Sequence, residues 1–161
     1  MTQASGVPGI EAKHVPPPAT PAVSPPGTAV IVFDGVCVLC NGWVRFLLPR
    51  DRAGRYRFAP MQGDTGRALL IAQGQNPDDP QTFLLVEYAV DGATRVSTDS
   101  TAVLRVLAGL GGPWRLASFG RLIPGPLRDA GYRLIARNRY RWFGRREACV
   151  VPSGDEAARF L

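Results

Sequence analysis

Two cysteines, Cys37 and Cys40, stand where a predicted strand meets a predicted helix. Residues 34–40 read Asp-Gly-Val-Cys-Val-Leu-Cys and directly follow the apolar run of residues 29–33. The start of a helix favours a thiolate over a thiol, because its dipole and unpaired N–H groups stabilise negative charge. Two sulfurs at this spacing also close into a small, reducible disulfide. The pattern therefore predicts thiol–disulfide chemistry.

The two cysteines are expected to play different roles. Cys37, at the first helical turn, should carry the exposed sulfur that attacks a substrate disulfide. Cys40, one turn along and deeper, should resolve the mixed disulfide, which leaves the pair oxidised and the substrate reduced. Val38 and Leu39 carry no charge and give no reason to expect an unusually low thiol pKa, so they do not reveal the redox potential.

Asp34 is the third candidate site residue, because it lies three positions before Cys37. Its carboxylate is a candidate to carry the proton of the resolving thiol. The alternative, which we favour, is structural: the carboxylate caps the helix or ties the preceding turn through backbone N–H groups. A carboxylate beside a thiolate raises the pKa of the thiol, which argues against direct contact with Cys37.

A structural zinc site is an alternative interpretation of the same spacing. The two cysteines would supply two ligands, and tetrahedral zinc needs two more. The chain offers only Cys149 and His14, and His14 lies in a segment predicted to be a floppy tail. A third alternative is a pair of buried, inert cysteines. Cys149 is either a second resolving thiol, a thiol that pairs with another chain, or an idle one. We favour redox chemistry and expect no bound cofactor or metal.

Strands and helices alternate along the chain. Strands are predicted at residues 29–33, 55–58, 82–87 and 94–97, the last two joined by the turn Asp91-Gly92. Helices are predicted from Cys40 to Pro49, over 61–73, from a cap at Asp99 or Ser100 to 110, near 114–122, and from 127 to 139 or slightly beyond. Strands joined by a helix run parallel, whereas hairpin strands run antiparallel. The order predicts an α/β, thioredoxin-like fold: a mixed four-stranded sheet flanked by helices, with an extra helical C-terminal segment.

The first 27 residues differ from the rest, because they contain seven prolines and few large apolar side chains. Such a segment cannot offset its ordering entropy, so we expect a disordered tail over 1–27 and a folded domain over 28–161. No secretory signal is recognisable, and no apolar run is long enough to span a bilayer. We therefore expect a cytoplasmic protein, in which an isolated cysteine pair is more often catalytic or metal-binding than structural.

Basic residues concentrate near the C-terminus. The net charge is +6, and residues 115–146 contain nine arginines and one acid, Asp129. An anionic partner would fit this segment, but we favour a solvated helix face, since Lys13 is the chain's one lysine and arginine serves as its general cation. Without a groove-reading motif we do not expect a nucleic-acid partner. We expect Tyr140, Trp142 and Phe143 to pack the last helix onto the sheet.

Two separated motifs resemble the DCC family of thiol-disulfide oxidoreductases. Asp34–Asn41 is similar to the family's Asp-x-x-Cys-x-x-Cys signature. Ala136–Gly144, followed by Cys149, resembles an Asn-Arg-Tyr-x-x-Phe-Gly element and a later cysteine that members often carry. The resemblance spans residues 30–152 and implies a thioredoxin-like fold with redox activity. In that fold a cis-proline precedes the third strand, and Pro80 is either that proline or an ordinary trans one.

The sequence is consistent with two functions. The first is a thiol–disulfide oxidoreductase of the protein-disulfide reductase type, whose partners are an unidentified disulfide-containing substrate and a thiol reductant. The second is a binding module that kept the fold, lost turnover and uses its Arg-rich helix to contact an anionic partner.

Overall fold

A mixed four-stranded sheet forms the centre of the protein. The computed structural model describes residues 24–78, 83–147 and 154–161. The strands are β1 Ala29–Phe33, β2 Tyr56–Pro60, β3 Leu84–Tyr88 and β4 Thr94–Thr98. The helices are α1 Val38–Leu47, α2 Asp64–Ala72, α3 Asp99–Gly109 and α4 Gly125–Phe143, with a 3₁₀ segment over Gly112–Leu122 and a short 3₁₀ turn over Gly154–Arg159.

The strand order is β2-β1-β3-β4. β1 runs parallel to β2 and antiparallel to β3, and β3 runs antiparallel to β4. All five residues of β1 are buried, as expected for a central strand whose two faces are covered. The structure thus confirms the predicted α/β, thioredoxin-like arrangement and the hairpin.

The alternation of side chains along β1 builds two cores. Ala29, Ile31 and Phe33 face a cluster that includes residues of α1 and α3, whereas Val30 and Val32 face a cluster that includes residues of α2. Helices therefore cover both faces of the sheet. The last residue of β1 lies directly before the turn that carries the cysteines, so this rigid strand fixes where the turn begins.

The helix starts differ from the prediction by one to three residues, the most for α2, which begins at Asp64 instead of residue 61. α1 begins at Val38, with Cys37 as its N-cap, and α3 begins at Asp99 with Thr98 as its N-cap. Ser100 and Asp99 do not cap α3, because their side chains are used elsewhere: the Ser100 hydroxyl donates to Asp129, and the Asp99 carboxylate pairs with Arg133 at 3.4 Å. These contacts tie α3 to α4, and a sequence-local capping rule cannot foresee them.

The C-terminal helices lie on the outside of the molecule. Both the 3₁₀ segment and α4 contact α3, and neither contains a buried residue. The prediction that Tyr140, Trp142 and Phe143 pack α4 onto the sheet is wrong, since the side chain of Trp142 is 53% exposed and that of Phe143 is 46% exposed. On the side of α4 that turns inward, Arg133 and Arg139 pair with Asp99 and Asp34.

Several predictions fall on residues that the structure does not describe. Pro80, Cys149, His14 and residues 1–23 of the expected tail lie outside the described ranges. The predictions made for them therefore stay predictions. Among the helices of the described ranges, none is long and apolar enough to cross a membrane.

Candidate active site

Cys37 occupies the N-cap position of α1. Its backbone is extended, with φ −80° and ψ 123°, and its sulfur accepts a hydrogen bond from the backbone N–H of Cys40 at 3.3 Å. An N-cap side chain normally uses oxygen for this contact. Here the Cys37 sulfur takes the place of that oxygen. Cys37 and Cys40 form no disulfide, so both are free thiols. The strand–helix joint thus brings the two sequence-predicted cysteines together.

The two thiols have opposite pKa shifts. A hydrogen bond from the Cys40 thiol lowers the pKa of Cys37 to about 6, and the Cys40 backbone N–H and the charge of Arg139 act in the same direction, against burial and the charge of Asp34. That same hydrogen bond, together with burial, raises the pKa of Cys40. The negative charge of the ionised pair therefore resides on Cys37.

The order of exposure is the reverse of the prediction. Cys37 is 0% exposed, whereas Cys40 is partly exposed. A segment distant in sequence, Gly144–Arg146, here called the strap, lies against this buried residue. The strap pairs with the cysteine turn through a backbone bridge between Cys37 and Arg145.

Two backbone hydrogen bonds hold the strap to the turn. The N–H of Arg146 donates to the carbonyl of Val36 at 2.7 Å, and the N–H of Val38 donates to the carbonyl of Gly144 at 3.4 Å. The second contact is long for a hydrogen bond and correspondingly weak.

Asp34 is buried and ties the turn. Its Oδ1 accepts from the Val36 backbone N–H at 3.1 Å and from Gln62 Nε2 at 2.8 Å. Its Oδ2 accepts from Arg139 Nη2 at 3.3 Å and from the Tyr140 hydroxyl. The prediction that this carboxylate caps the helix is wrong, because Cys37 takes the N-cap position. The other structural role, tying the preceding turn, is the one that the hydrogen bond from Val36 shows.

Gln62, Arg139 and Tyr140 are site residues that the sequence reasoning did not find. Gln62 binds both Asp34 and the turn itself, because its Oε1 also accepts a hydrogen bond from the backbone N–H of Gly35 at 3.0 Å. The parallel pairing of β1 with β2 carried a signal for it, because residues that follow the ends of two paired parallel strands are neighbours. Arg139 and Tyr140 come from α4 and lie more than a hundred positions from Asp34.

Asn41 is a further residue that holds the cysteine turn in place. Its side chain is buried, and its Nδ2 donates to the carbonyls of Gly35 at 2.7 Å and of Cys37 at 2.8 Å. The structure thus gives Asn41 a definite structural role, which is to hold the backbone that carries Cys37.

An apolar cavity of about 200 Å³ adjoins the cysteine pair. Cys40 contributes to its wall, and Asp34 and Arg139 lie at its edge. The remaining wall is formed mainly by apolar side chains of α1, α3 and α4, among them Trp43, Val103, Ile135 and Ala136. A small apolar group placed here would lie beside the Cys40 sulfur.

A family model described as DCC1-like thiol-disulfide oxidoreductase matches residues 31–145, from β1 to the strap. The chain belongs to this family. It is 44% identical over 132 residues to the uncharacterized protein YuxK of Bacillus subtilis, an alignment that covers 82% of this chain and 93% of that protein. It is 39% identical over 123 residues to a chloroplastic DCC family protein of Arabidopsis thaliana, covering 76% of this chain and 69% of that protein. No solved structure matches it significantly.

Membership of the DCC1-like family indicates a redox role, and Cys37 and Cys40 lie next to each other at the start of α1. In the part of the chain that the structure describes, no cluster of three or more His, Cys, Asp and Glu side chains is placed to hold a metal ion. A tetrahedral zinc site needs four ligands, so the described donors alone do not make this pair a zinc centre.

Proposed function

We propose that the protein is a thiol–disulfide oxidoreductase of the protein-disulfide reductase type, with Cys37 as nucleophile and Cys40 as resolving thiol. The observation that carries the proposal is the hydrogen bond from the Cys40 backbone N–H to the Cys37 sulfur at 3.3 Å, which brings the two cysteines together at the start of α1. The Cys40 side chain and this N–H also lower the pKa of Cys37. Only a thiolate is an effective nucleophile toward a disulfide. These contacts favour an ionised Cys37 next to a protonated Cys40.

The proposed reaction transfers two electrons to the substrate. The Cys37 thiolate attacks one sulfur of a substrate disulfide, forms a mixed disulfide and releases the other sulfur as a thiolate. Cys40 then loses its proton to the released thiolate or to water and attacks the Cys37 sulfur. A Cys37–Cys40 disulfide forms and the second substrate thiol leaves. A thiol reductant returns the pair to the dithiol.

Substrate access requires the strap to move, because Cys37 is fully covered. We infer that local opening of Gly144–Arg146 exposes the sulfur before the attack. The apolar cavity beside Cys40 would then receive an apolar group flanking the substrate disulfide. Access and binding would thus be controlled by two different parts of the same site.

Asp34 is best explained as a positioning residue. Both of its oxygens already accept hydrogen bonds, from the turn, from Gln62 and from two residues of α4. A carboxylate held in this way fixes the turn that carries Cys37. Its charge opposes thiolate formation at Cys37, and the charge of Arg139 acts in the opposite direction.

We further propose that the protein works in a reducing compartment such as the cytoplasm. Two neighbouring thiols that remain free are compatible with such a compartment, where glutathione and thioredoxin systems keep cysteines reduced. The thiol reductant that the cycle needs would be drawn from the same pool.

Reduction of insulin by dithiothreitol, followed by turbidity, tests the proposal. Catalysis should be lost with Cys37→Ser, and Cys40→Ser should accumulate a mixed disulfide with the substrate. Cys149→Ser is the matched control, because it removes the remaining cysteine of the chain, and it should keep its activity. No acceleration by the wild-type protein, or full activity in Cys37→Ser, would refute the proposal and favour the non-catalytic binding module.

A further inference from the structure

The 3₁₀ segment Gly112–Leu122 exposes a row of large apolar side chains. Leu116, Phe119 and Leu122 are 64–81% exposed. Side chains three positions apart lie one above another on a 3₁₀ helix, so the three residues form one outward row. The segment packs on α3 through another side, where Gly120 leaves room for the side chain of Leu104.

The next helix, α4, is also apolar on the outside. Leu127, Leu134 and Trp142 are exposed, and their spacing of seven and fifteen positions puts them on one helical face. The opposite face is polar and paired with the rest of the protein. There Asp129 accepts the Ser100 hydroxyl, Arg133 pairs with Asp99, and Arg139 pairs with Asp34.

The segment that carries these apolar side chains is rich in arginine. Residues 112–146 contain nine arginines and one acid, and that acid, Asp129, is engaged by Ser100. Arg133 and Arg139 form ion pairs. Six of the others are exposed and form no ion pair with a carboxylate of the described ranges: Arg115, Arg121, Arg137, Arg141, Arg145 and Arg146. The surface therefore combines exposed apolar groups with uncompensated positive charge.

We propose that the 3₁₀ segment and α4 form a surface that docks on an anionic lipid bilayer. The apolar side chains enter the boundary between headgroups and acyl chains, and the arginines contact lipid phosphates. This combination of an apolar face with basic residues is typical of segments that lie in a membrane interface.

Two other occupants fit the surface less well. A nucleic acid would engage the arginines and stack on aromatic rings, but it would leave Leu116, Leu122 and Leu127 in water. A second copy of the chain would bury these leucines but would place two positively charged surfaces against each other, which is unfavourable. A lipid surface satisfies both the charge and the apolar side chains.

Co-sedimentation of the full chain with vesicles tests this inference. The protein should bind vesicles made of phosphatidylglycerol and phosphatidylcholine in equal parts, and bind pure phosphatidylcholine at least about tenfold more weakly. Phe119→Ser/Leu122→Ser and Arg115→Gln/Arg121→Gln should each weaken binding to the anionic vesicles by about tenfold or more. These residues are exposed and lie away from the cysteines, so insulin reduction without vesicles should be unchanged and reports that the variants are folded.

Matched controls change the same residue types elsewhere on the surface. Ile71→Ser/Val90→Ser removes two exposed apolar side chains, and Arg52→Gln/Arg95→Gln removes two exposed charges. Both should bind anionic vesicles like the wild type. The inference is overturned if the wild type does not sediment with anionic vesicles, or if the controls lose as much affinity as the test variants.

Two further outcomes would also overturn it by identifying another occupant. Tight binding to a short DNA duplex that is lost in Arg115→Gln/Arg121→Gln but kept in Phe119→Ser/Leu122→Ser would assign the surface to a nucleic acid. A dimer in solution that Phe119→Ser/Leu122→Ser converts to a monomer would assign it to a second copy of the chain.

Discussion

The backbone of Cys37 pairs with that of Arg145 in an isolated antiparallel bridge. Through this contact the strap Gly144–Arg146 lies against Cys37, which is buried and has the lower thiol pKa of the pair. Among the described residues, two backbone hydrogen bonds, one of them long, and the Arg145 guanidinium over the Tyr140 ring hold it, so opening the strap should cost much less free energy than unfolding the protein. The availability of the thiolate would then depend on a local equilibrium as well as on its pKa.

Strap opening can be shifted at Gly144. Its φ of +91° with ψ of 174° is a conformation that essentially glycine alone adopts, so Gly144→Ala should destabilise the closed strap by about 1–3 kcal/mol. Because alkylation requires opening, the rate at which iodoacetamide modifies Cys37 should rise about tenfold or more.

Gly131→Ala is the matched control for this experiment. Gly131 lies on the exposed side of α4, has no strained φ, and an added Cβ meets no atom within 4 Å. In Gly131→Ala the rate at which iodoacetamide modifies Cys37 should stay at the wild-type value. Equal rates in wild type and Gly144→Ala would show that the strap does not limit access.

The thiol of Cys40 should control the ionisation of Cys37. The rate of Cys37 alkylation against pH should have a midpoint at about 6. Cys40→Ala removes the donor that lowers this pKa, so the midpoint should move upward toward that of an ordinary cysteine, about 8.5. Cys40→Ser keeps a hydroxyl donor and is the matched control, with a midpoint below that of Cys40→Ala. Superimposed profiles for the two variants would contradict this role.

The stability of the reduced protein should depend on pH through the same thiol. Between the folded pKa of about 6 and an unfolded pKa of about 8.5, Cys37 binds fewer protons in the folded state than in the unfolded state. The free energy of unfolding should therefore rise with pH across this window, and this stabilisation is lost as the pH falls through the folded pKa. Urea titrations at several pH values should show the rise, and Cys37→Ala should flatten it. An unchanged slope in that variant would assign the effect to another group.

The buried ion pair of Asp34 and Arg139 should stabilise the turn. The Asp34 side chain is 2% exposed and that of Arg139 12% exposed, so Arg139→Met leaves a buried carboxylate with one partner fewer. We expect a loss of about 3 kcal/mol in the free energy of unfolding, part of which Asp34→Asn should restore in the double variant. Arg141→Met, which removes an exposed arginine of the same helix, should have little effect.

The same variants should shift the Cys37 pKa in opposite directions. The charge of Arg139 lowers that pKa and the charge of Asp34 raises it, so Arg139→Met should raise the alkylation midpoint and Asp34→Asn should lower it. A purely structural role would not predict opposite signs. Shifts of the same sign in both variants would contradict the electrostatic account.

The apolar cavity should contribute to substrate binding. Ala136→Phe places a ring in the cavity beside Cys40, so kcat/KM for insulin should fall about tenfold, the effect of losing an apolar contact worth 1–2 kcal/mol. Alkylation of Cys37 by iodoacetamide should not change. Ala130→Phe, at an exposed position of α4, is the control and should leave kcat/KM as it is. An unaltered kcat/KM in Ala136→Phe would place the substrate outside the cavity.

The sequence by itself determined the elements of the sheet and the place of the cysteine pair. The apolar run of β1, the Asp91-Gly92 turn and the spacing of Cys37 and Cys40 are local signals, and each gave a feature that the structure contains. Such signals are readable because they depend on the backbone geometry of a few neighbouring residues.

Only the tertiary structure decided which cysteine is covered and what surrounds Asp34. The strap reaches Cys37 from more than a hundred positions away, and Arg139 and Tyr140 reach Asp34 over a similar separation. The same holds for α4, where Arg133 and Arg139 pair with Asp99 and Asp34 while Leu127 and Leu134 remain exposed. Pairings between distant segments depend on how helices dock, and the order of residues within each segment does not specify that docking.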